Sequence, residues 1–549
     1  MNGIVLAVVV ALVAPARAAP APANNPAVAK RTPKPRDPKK LGAAARVAFG
    51  RELRPAREIV GRNTAPLTAE EATAAQIQKL LRGPFLRGGV TGLFVADAKT
   101  GEPLFAVNAD DPLNPASNVK MISTATAIDL LGPTYRFPTR LLGPKPVAGV
   151  VKGDVYLLGS YDPTLTVHDF DDIARETAAR GITRIDGDVV VGSDPTRDGI
   201  YRAIVPLEIV AGPPGRPPIV ALAPGFDLVE IKITATTARA AMRPRLTFKT
   251  DATTTPAGQP HIVLTIGGAI GKDGKVTYPL VTKQRTAAAA YALIAALRSH
   301  QIGFSGSPKT AELDPFVAAA AGRGALPIEL GRHESQTIGD IIARINKWSI
   351  NWLADRLVVT AAALARNKQP SMELAVEAMY SWLDRNPHLK RSIVLDTGSG
   401  LSYRTQISPH ELVSVVRSAG GFSNPADAAS TAWLRSLSIV GTDGTLQHRF
   451  LGSNIRGRII GKTGSLSTVI ALSGILDIDP QRPLVFSLVT NTDAPLSKPV
   501  VRRAHEQVIA EICKYAARTL AKPAHPAIVM PPPGSAHPDE AEDNETSDH

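Results

Sequence analysis

The 549-residue chain predicts an α+β fold carrying an inserted, mostly β module. Helical patterns stand on both sides of the stretch from about 140 to 280, which is filled by short β-like runs broken by Gly, Pro and Asp. A strand pair and a long amphipathic helix close the folded part. With 44% apolar residues over this length, two or three domains are expected.

At the start, Ile4 to Val13 is a short apolar run ahead of Ala16-Arg17-Ala18, a small-x-small pattern that suits signal peptidase cleavage before Ala19. Residues 1–18 therefore read as a signal peptide and predict export to the periplasm or the wall side of the membrane. Residues 19–64, with Pro-Ala repeats and KRTPKPRDPKK, lack periodic apolar content and read as a tether. Thr68 with Glu71 forms a capping-box pattern ahead of Ile77, Leu80 and Leu81. Val90 to Ala96 and Pro103 to Val107 flank a polar turn and predict a hairpin, and Ser117 to Leu131 predicts a helix stopped by Gly132-Pro133.

Within the inserted module, assigned to 141–284, β-like runs occur at Asp154–Leu158, Asp188–Val191, Leu228–Ala235 and His261–Ile266. Helical patterns return at Arg285–Ser299, Thr337–Ala365 and Ser371–Arg385. The main domain is thus split into 65–140 and 285–522. Strands at Thr468–Asp477 and Leu484–Thr490 precede the helix Ser497–Leu520, and the acidic tail 523–549 reads as unstructured.

Composition excludes several classes. Cys513 is the only cysteine, so an intrachain disulfide, a Cys-rich zinc cluster and a redox pair are ruled out. The net charge of +13 is uneven, with 11 basic and 3 acidic residues between Lys30 and Arg62 and 6 acids between Asp539 and Asp548. On an exported protein this predicts peripheral contact with anionic wall polymers or lipid head groups and no nucleic acid, beside the plain reading of a solvated basic surface. No metal-binding or nucleotide-binding motif is present, and no cofactor is expected.

Three short motifs occur in order: Ser117-Asn118-Val119-Lys120, Ser349-Ile350-Asn351 and Lys462-Thr463-Gly464. On a helix, i and i+3 share a face, which sets Lys120 beside Ser117. A serine hydroxyl needs a base, and a lysine kept neutral by burial and by a nearby cation, here Lys462, can serve.

Motifs and flanks together resemble the class C low-molecular-mass penicillin-binding proteins, D-alanyl-D-alanine carboxypeptidases and endopeptidases. The matching stretches are PASNVKMIST, GSYDPTLT, INKWSINWLAD, SGLSYRTQISP, GTDGTLQHRF and GKTGSLSTV, which together span roughly 65 to 520. The 232 residues from Ser117 to Ser349 exceed what compact β-lactamases place between these motifs, and members of this branch carry an insert there. The resemblance implies the serine transpeptidase fold and hydrolysis of peptidoglycan stem peptides through an acyl-enzyme, with covalent binding of β-lactams. It implies that Ser117 attacks, Lys120 takes its proton and Ser349 relays a proton to the leaving amine. Asn351 orients the substrate amide or Lys120, and Lys462 with Thr463 holds the terminal carboxylate. The N–H groups of Ser117 and Ser465 form the oxyanion hole, and Gly464 lets the substrate backbone approach. Ile350, where many relatives have Asp or Asn, is expected to act on substrate preference.

Alternatives are a β-lactamase or esterase on the same fold, or an inactive wall-binding protein. Asp396-Thr397-Gly398-Ser399 spells an aspartic-protease signature but has no second copy. Asp162 and Asp443 read as turn caps, His448 falls outside the site, and Trp348 reads as core, with Tyr161 a further candidate for the groove.

Overall fold

A computed structural model describes residues 68–192, 204–222, 228–254, 260–281, 285–311, 327–385, 393–422, 427–451 and 455–519. The signal-peptide, tether and acidic-tail assignments lie outside these residues.

The capping box forms as the sequence predicts: Thr68 Oγ1 accepts from the Glu71 N–H, the Glu71 carboxylate accepts from the Thr68 N–H, and helix Ala69–Leu81 follows. This helix packs on the closing helix Lys498–Thr519 over one face of a six-stranded antiparallel sheet. The strand order is Ser438–Ile439, Ile459–Leu466, Val469–Leu476, Leu484–Thr492, Gly89–Asp97 and Pro103–Val107. First and last parts of the chain thus share one sheet, with Leu93 opposite Leu488. Its central strands are buried on both faces, which is why Val469–Leu476 reads as an unbroken apolar run.

Against the other face lies a core of helices, Lys120–Leu131, Ile338–Trp348, Asn351–Arg366, Met372–Asp384, Pro409–Ala419 and Ala428–Ser436. The helix after Ser117 is buried from Lys120 to Ile128, so polar residues in it need internal partners. Thr124 Oγ1 bonds the Lys120 carbonyl at 2.6 Å, Asn346 Nδ2 and Trp433 Nε1 donate to Thr124 Oγ1, and Ser123 Oγ donates to the Gly398 carbonyl. These bonds fix the rotation and height of the helix that carries Lys120. Cys513 is buried in the closing helix, and burial pushes its thiol up to about 12, which leaves it inert as a nucleophile.

A second apolar core runs from Leu141 to Leu330. It includes the helices Phe170–Ala179 and Arg285–Ser299, so the inserted region is not purely β, and the expected boundary at 284 falls inside it. The physical reason is packing: Ala288, Ala289, Leu293 and Leu297 of the second helix bury their apolar face against the module strands. The chain leaves the first core through Pro138–Gly143 and returns through Ile328–Glu334, and these two strands pair antiparallel.

Candidate active site

Ser117 sits in a 3₁₀ turn, Ala116–Val119, and the α-helix begins at Lys120, three residues after the expected start. The turn is entered through Ala116 at φ +47°, a left-handed conformation unusual for alanine, held by the Asn114 side chain accepting from the Ala116 N–H at 2.8 Å. Asn114 is itself pinned, donating to the Ser402 carbonyl and exchanging bonds with the Asn491 side chain. Strain at Ala116 aims Ser117 out of the core, where it remains partly accessible.

Lys120 Nζ has three acceptors: Ser117 Oγ at 3.0 Å, Asn351 Oδ1 at 2.5 Å and the Ser399 carbonyl at 2.7 Å. The side chain is fully buried, and burial lowers its pKa to about 7, opposed by the Asp355 carboxylate, which favours the charged form. Of the two expected causes, burial is the one that lowers it, and the repulsion between the two lysines falls on Lys462.

The pattern Thr337–Ala365 is two helices rather than one. Ser349 is the break: it caps Ile338–Trp348 in the left-handed region (φ +60°), and Asn351 opens the next helix. Periodicity continues through this break, because Ile345, Ile350 and Leu353 all enter the same core. Ile350, expected to act on substrate preference, is 5% exposed and packs into that core. Ser349 Oγ instead meets Lys462, whose Nζ donates to it at 2.8 Å and to the Thr463 carbonyl at 3.0 Å. Lys462 is fully buried, and its pKa lies well below that of a free lysine through burial first and Lys120 second.

Strand Ile459–Leu466 brings Lys462, Thr463, Gly464 and Ser465 alongside Ser117. On its outer side the described pairing reaches only Ile460 and Gly461, leaving the edge from Lys462 onward open. A Cβ on Gly464 would lie 2.3 Å from the Pro115 carbonyl and 3.3 Å from Ala116 Cβ. The turn before Ser117 therefore requires the glycine, beside the expected approach of substrate. The buried Asn118 amide ties turn to strand, its nitrogen facing the carbonyls of Lys462 (2.8 Å) and Thr463 (3.2 Å) and its oxygen the Ser473 hydroxyl. Thr463 Oγ1 bonds Thr445 Oγ1 at 2.9 Å. Thr445 follows a loop anchored by the half-buried Lys347–Asp443 ion pair at 2.6 Å.

Sequence reasoning left three contributors out of the site: Ser399, Thr445 and Asp355. Ser399 acts through its carbonyl, which no side chain advertises. Asp396 organises that loop, accepting from Ser402 Oγ, Arg404 Nε and Thr405 Oγ1, as a turn residue and not as half of a protease dyad. Asp162 caps Thr164, Tyr161 is buried, Trp348 packs on the core and His448 is exposed. Among the described residues no group of three or more His, Cys, Asp or Glu is placed to hold a metal ion, and no helix is long and apolar enough to cross a membrane.

The model of the D-Ala-D-Ala carboxypeptidase 3 (S13) family matches residues 73–198 and 193–512. The chain belongs to the S13 family. It is accordingly a serine peptidase of the penicillin-binding kind. It is 27% identical over 485 residues to a D-alanyl-D-alanine carboxypeptidase of an Actinomadura species, covering 80% of this chain and 84% of that one. It is 26% identical to the carboxypeptidase DacB of Mycolicibacterium smegmatis, over 80% of this chain and 84% of the relative. The crystal structure of penicillin binding protein 4 of Haemophilus influenzae shares its fold, at TM-score 0.59 and 20% identity, covering 80% of this S13 chain and 99% of the other.

Proposed function

We propose that this S13 peptidase hydrolyses D-alanyl-D-alanine ends or crosslinks of peptidoglycan stem peptides through an acyl-enzyme on Ser117, and that β-lactams acylate the same hydroxyl. The observation that carries the assignment is the 3.0 Å contact from Lys120 Nζ to Ser117 Oγ, made by a lysine whose pKa is about 7. Near neutral pH a large share of such a lysine is uncharged and can take the serine proton as the hydroxyl attacks. Asn351 and the Ser399 carbonyl then hold the ammonium that forms.

The leaving amine needs a proton, and Ser349 is the hydroxyl for it, backed by Lys462. A substrate carboxylate next to Lys462 would favour its charged form, so capture and charging occur together. Thr463 and Thr445 add hydroxyls on the same side. The open strand edge suits an extended peptide lying antiparallel along Lys462 to Ser465. The Ser465 and Ser117 N–H groups serve as the oxyanion donors.

The localisation follows from the substrate. Peptidoglycan lies outside the cytoplasm, in keeping with the apolar run and cleavage pattern at the start of the sequence, and the periplasmic or wall side is where we place the enzyme. The test is incubation with purified uncrosslinked and crosslinked muropeptides and mass analysis of the products. Release of D-Ala shows carboxypeptidase activity and loss of crosslinked dimer shows endopeptidase activity. Neither product, together with rapid turnover of a penicillin, would replace the proposal with a β-lactamase.

A further inference from the structure

We infer that Asp355 is a positioning residue for the proton-accepting Lys120, acting through the Ser399 peptide unit and through its own charge. Three structural facts point there. Asp355 lies four residues after Asn351 on one helix, so both side chains project from the same face, the face toward Lys120. Its Oδ1 accepts the Ser399 N–H at 2.7 Å, and the Ser399 carbonyl accepts from Lys120 Nζ at 2.7 Å. Gly398 makes this approach possible, because a Cβ there would lie 2.7 Å from Val358 Cγ1 and 3.3 Å from Asp355 Oδ1.

One helix turn therefore grips Lys120 twice, directly through Asn351 and indirectly through Asp355 and Ser399. The logic is that of a nucleophile, its base and a third group that orients the base. A carboxylate in this place does what a neutral acceptor cannot, since it stabilises the ammonium that Lys120 becomes when Ser117 gives up its proton. The charges facing Lys120 are this carboxylate, which favours the ammonium, and Lys462 on the strand opposite, which disfavours a second ammonium. Burial holds the Asp355 carboxyl above the ordinary aspartate value, although the Ser399 hydrogen bonds and the Lys120 charge oppose it, the latter being the reciprocal of the same interaction.

This inference rests on Lys120 being the base, and the test separates the two. The acylation rate by a β-lactam ester without a carboxylate is measured against pH for the full chain and for Asp355→Asn, Asp355→Ala and Lys120→Arg. Asp355→Asn keeps an oxygen for the Ser399 N–H, loses the charge and turns the second oxygen into a donor. Its acidic limb should move to lower pH by at least about half a unit with the plateau within a fewfold of the parent. Asp355→Ala should move the limb likewise and also lower the plateau about tenfold or more, because the Ser399 peptide is released. If both variants keep the parent limb, Asp355 is structural only and the inference fails. If the limb survives Lys120→Arg, the base is another group and the proposed function fails at that point, whatever Asp355 does.

Discussion

Two lysines flank Ser117, both fully buried, yet their surroundings differ. Lys120 is held by three acceptors, one of them the nucleophile, with a carboxylate behind them. Lys462 has a single hydroxyl and the carbonyl of the next residue on its own strand, and no carboxylate stands behind it among the described partners. Burial alone would neutralise either side chain. What separates them is compensation: Lys120 is poised near neutrality, where a base can both accept and return a proton, whereas Lys462 awaits an anion. The same residue type is made a proton carrier on one side of the serine and an anion receptor on the other.

The comparison breaks most completely where both sides lose their shared target. Ser117→Ala should remove penicillin labelling and D-Ala release, a fall of about four orders of magnitude or more. Labelling that persists on a denaturing gel would refute the nucleophile. On the Lys120 side, Lys120→Arg keeps a cation that cannot deprotonate, and acylation should drop at least about a hundredfold. Stopped-flow acylation that stays near the parent rate would make Lys120 a mere counter-charge.

Lys462→Gln sharpens the contrast. Loss of a charged hydrogen bond to the substrate carboxylate should lower kcat/KM on a D-Ala-D-Ala peptide by about 10- to 100-fold. Acylation by a carboxylate-free β-lactam ester should keep its acidic limb, because burial dominates the Lys120 pKa and the repulsion between the two lysines falls on Lys462. A limb displaced by this substitution would show that the two lysines are one electrostatic unit. The smallest effect is expected at Thr445→Val, which removes the 2.9 Å partner of Thr463 and should raise KM about fivefold at unchanged kcat. Steady-state kinetics that show a kcat loss instead would assign Thr445 to the chemistry.

The contrast was unevenly legible in the sequence. The Ser117–Lys120 pair could be read because both residues lie within one turn, where spacing fixes geometry. Lys462 was readable only as a motif, since its neighbour Ser349 stands 113 residues away. Ser399 and the break at Ser349 stayed hidden for physical reasons: a backbone carbonyl leaves no residue-type signal, and an apolar period that runs through a left-handed cap looks like one helix. Asp355 could have been found by asking which polar residue shares a helix face with Asn351. The sequence predicts the helix Arg285–Ser299, but an alanine-rich face does not say which of two cores it joins, and it packs with the inserted module.

The most direct test of a base poised by burial is the pH dependence of acylation in the unmodified enzyme with the neutral β-lactam ester. Deprotonated Lys120 is the active form, so the rate should climb as pH rises and level off above a single ionisation near 7. A rate that is flat from about pH 5 to 9, or that keeps climbing toward the ordinary lysine range near 10, would contradict the account.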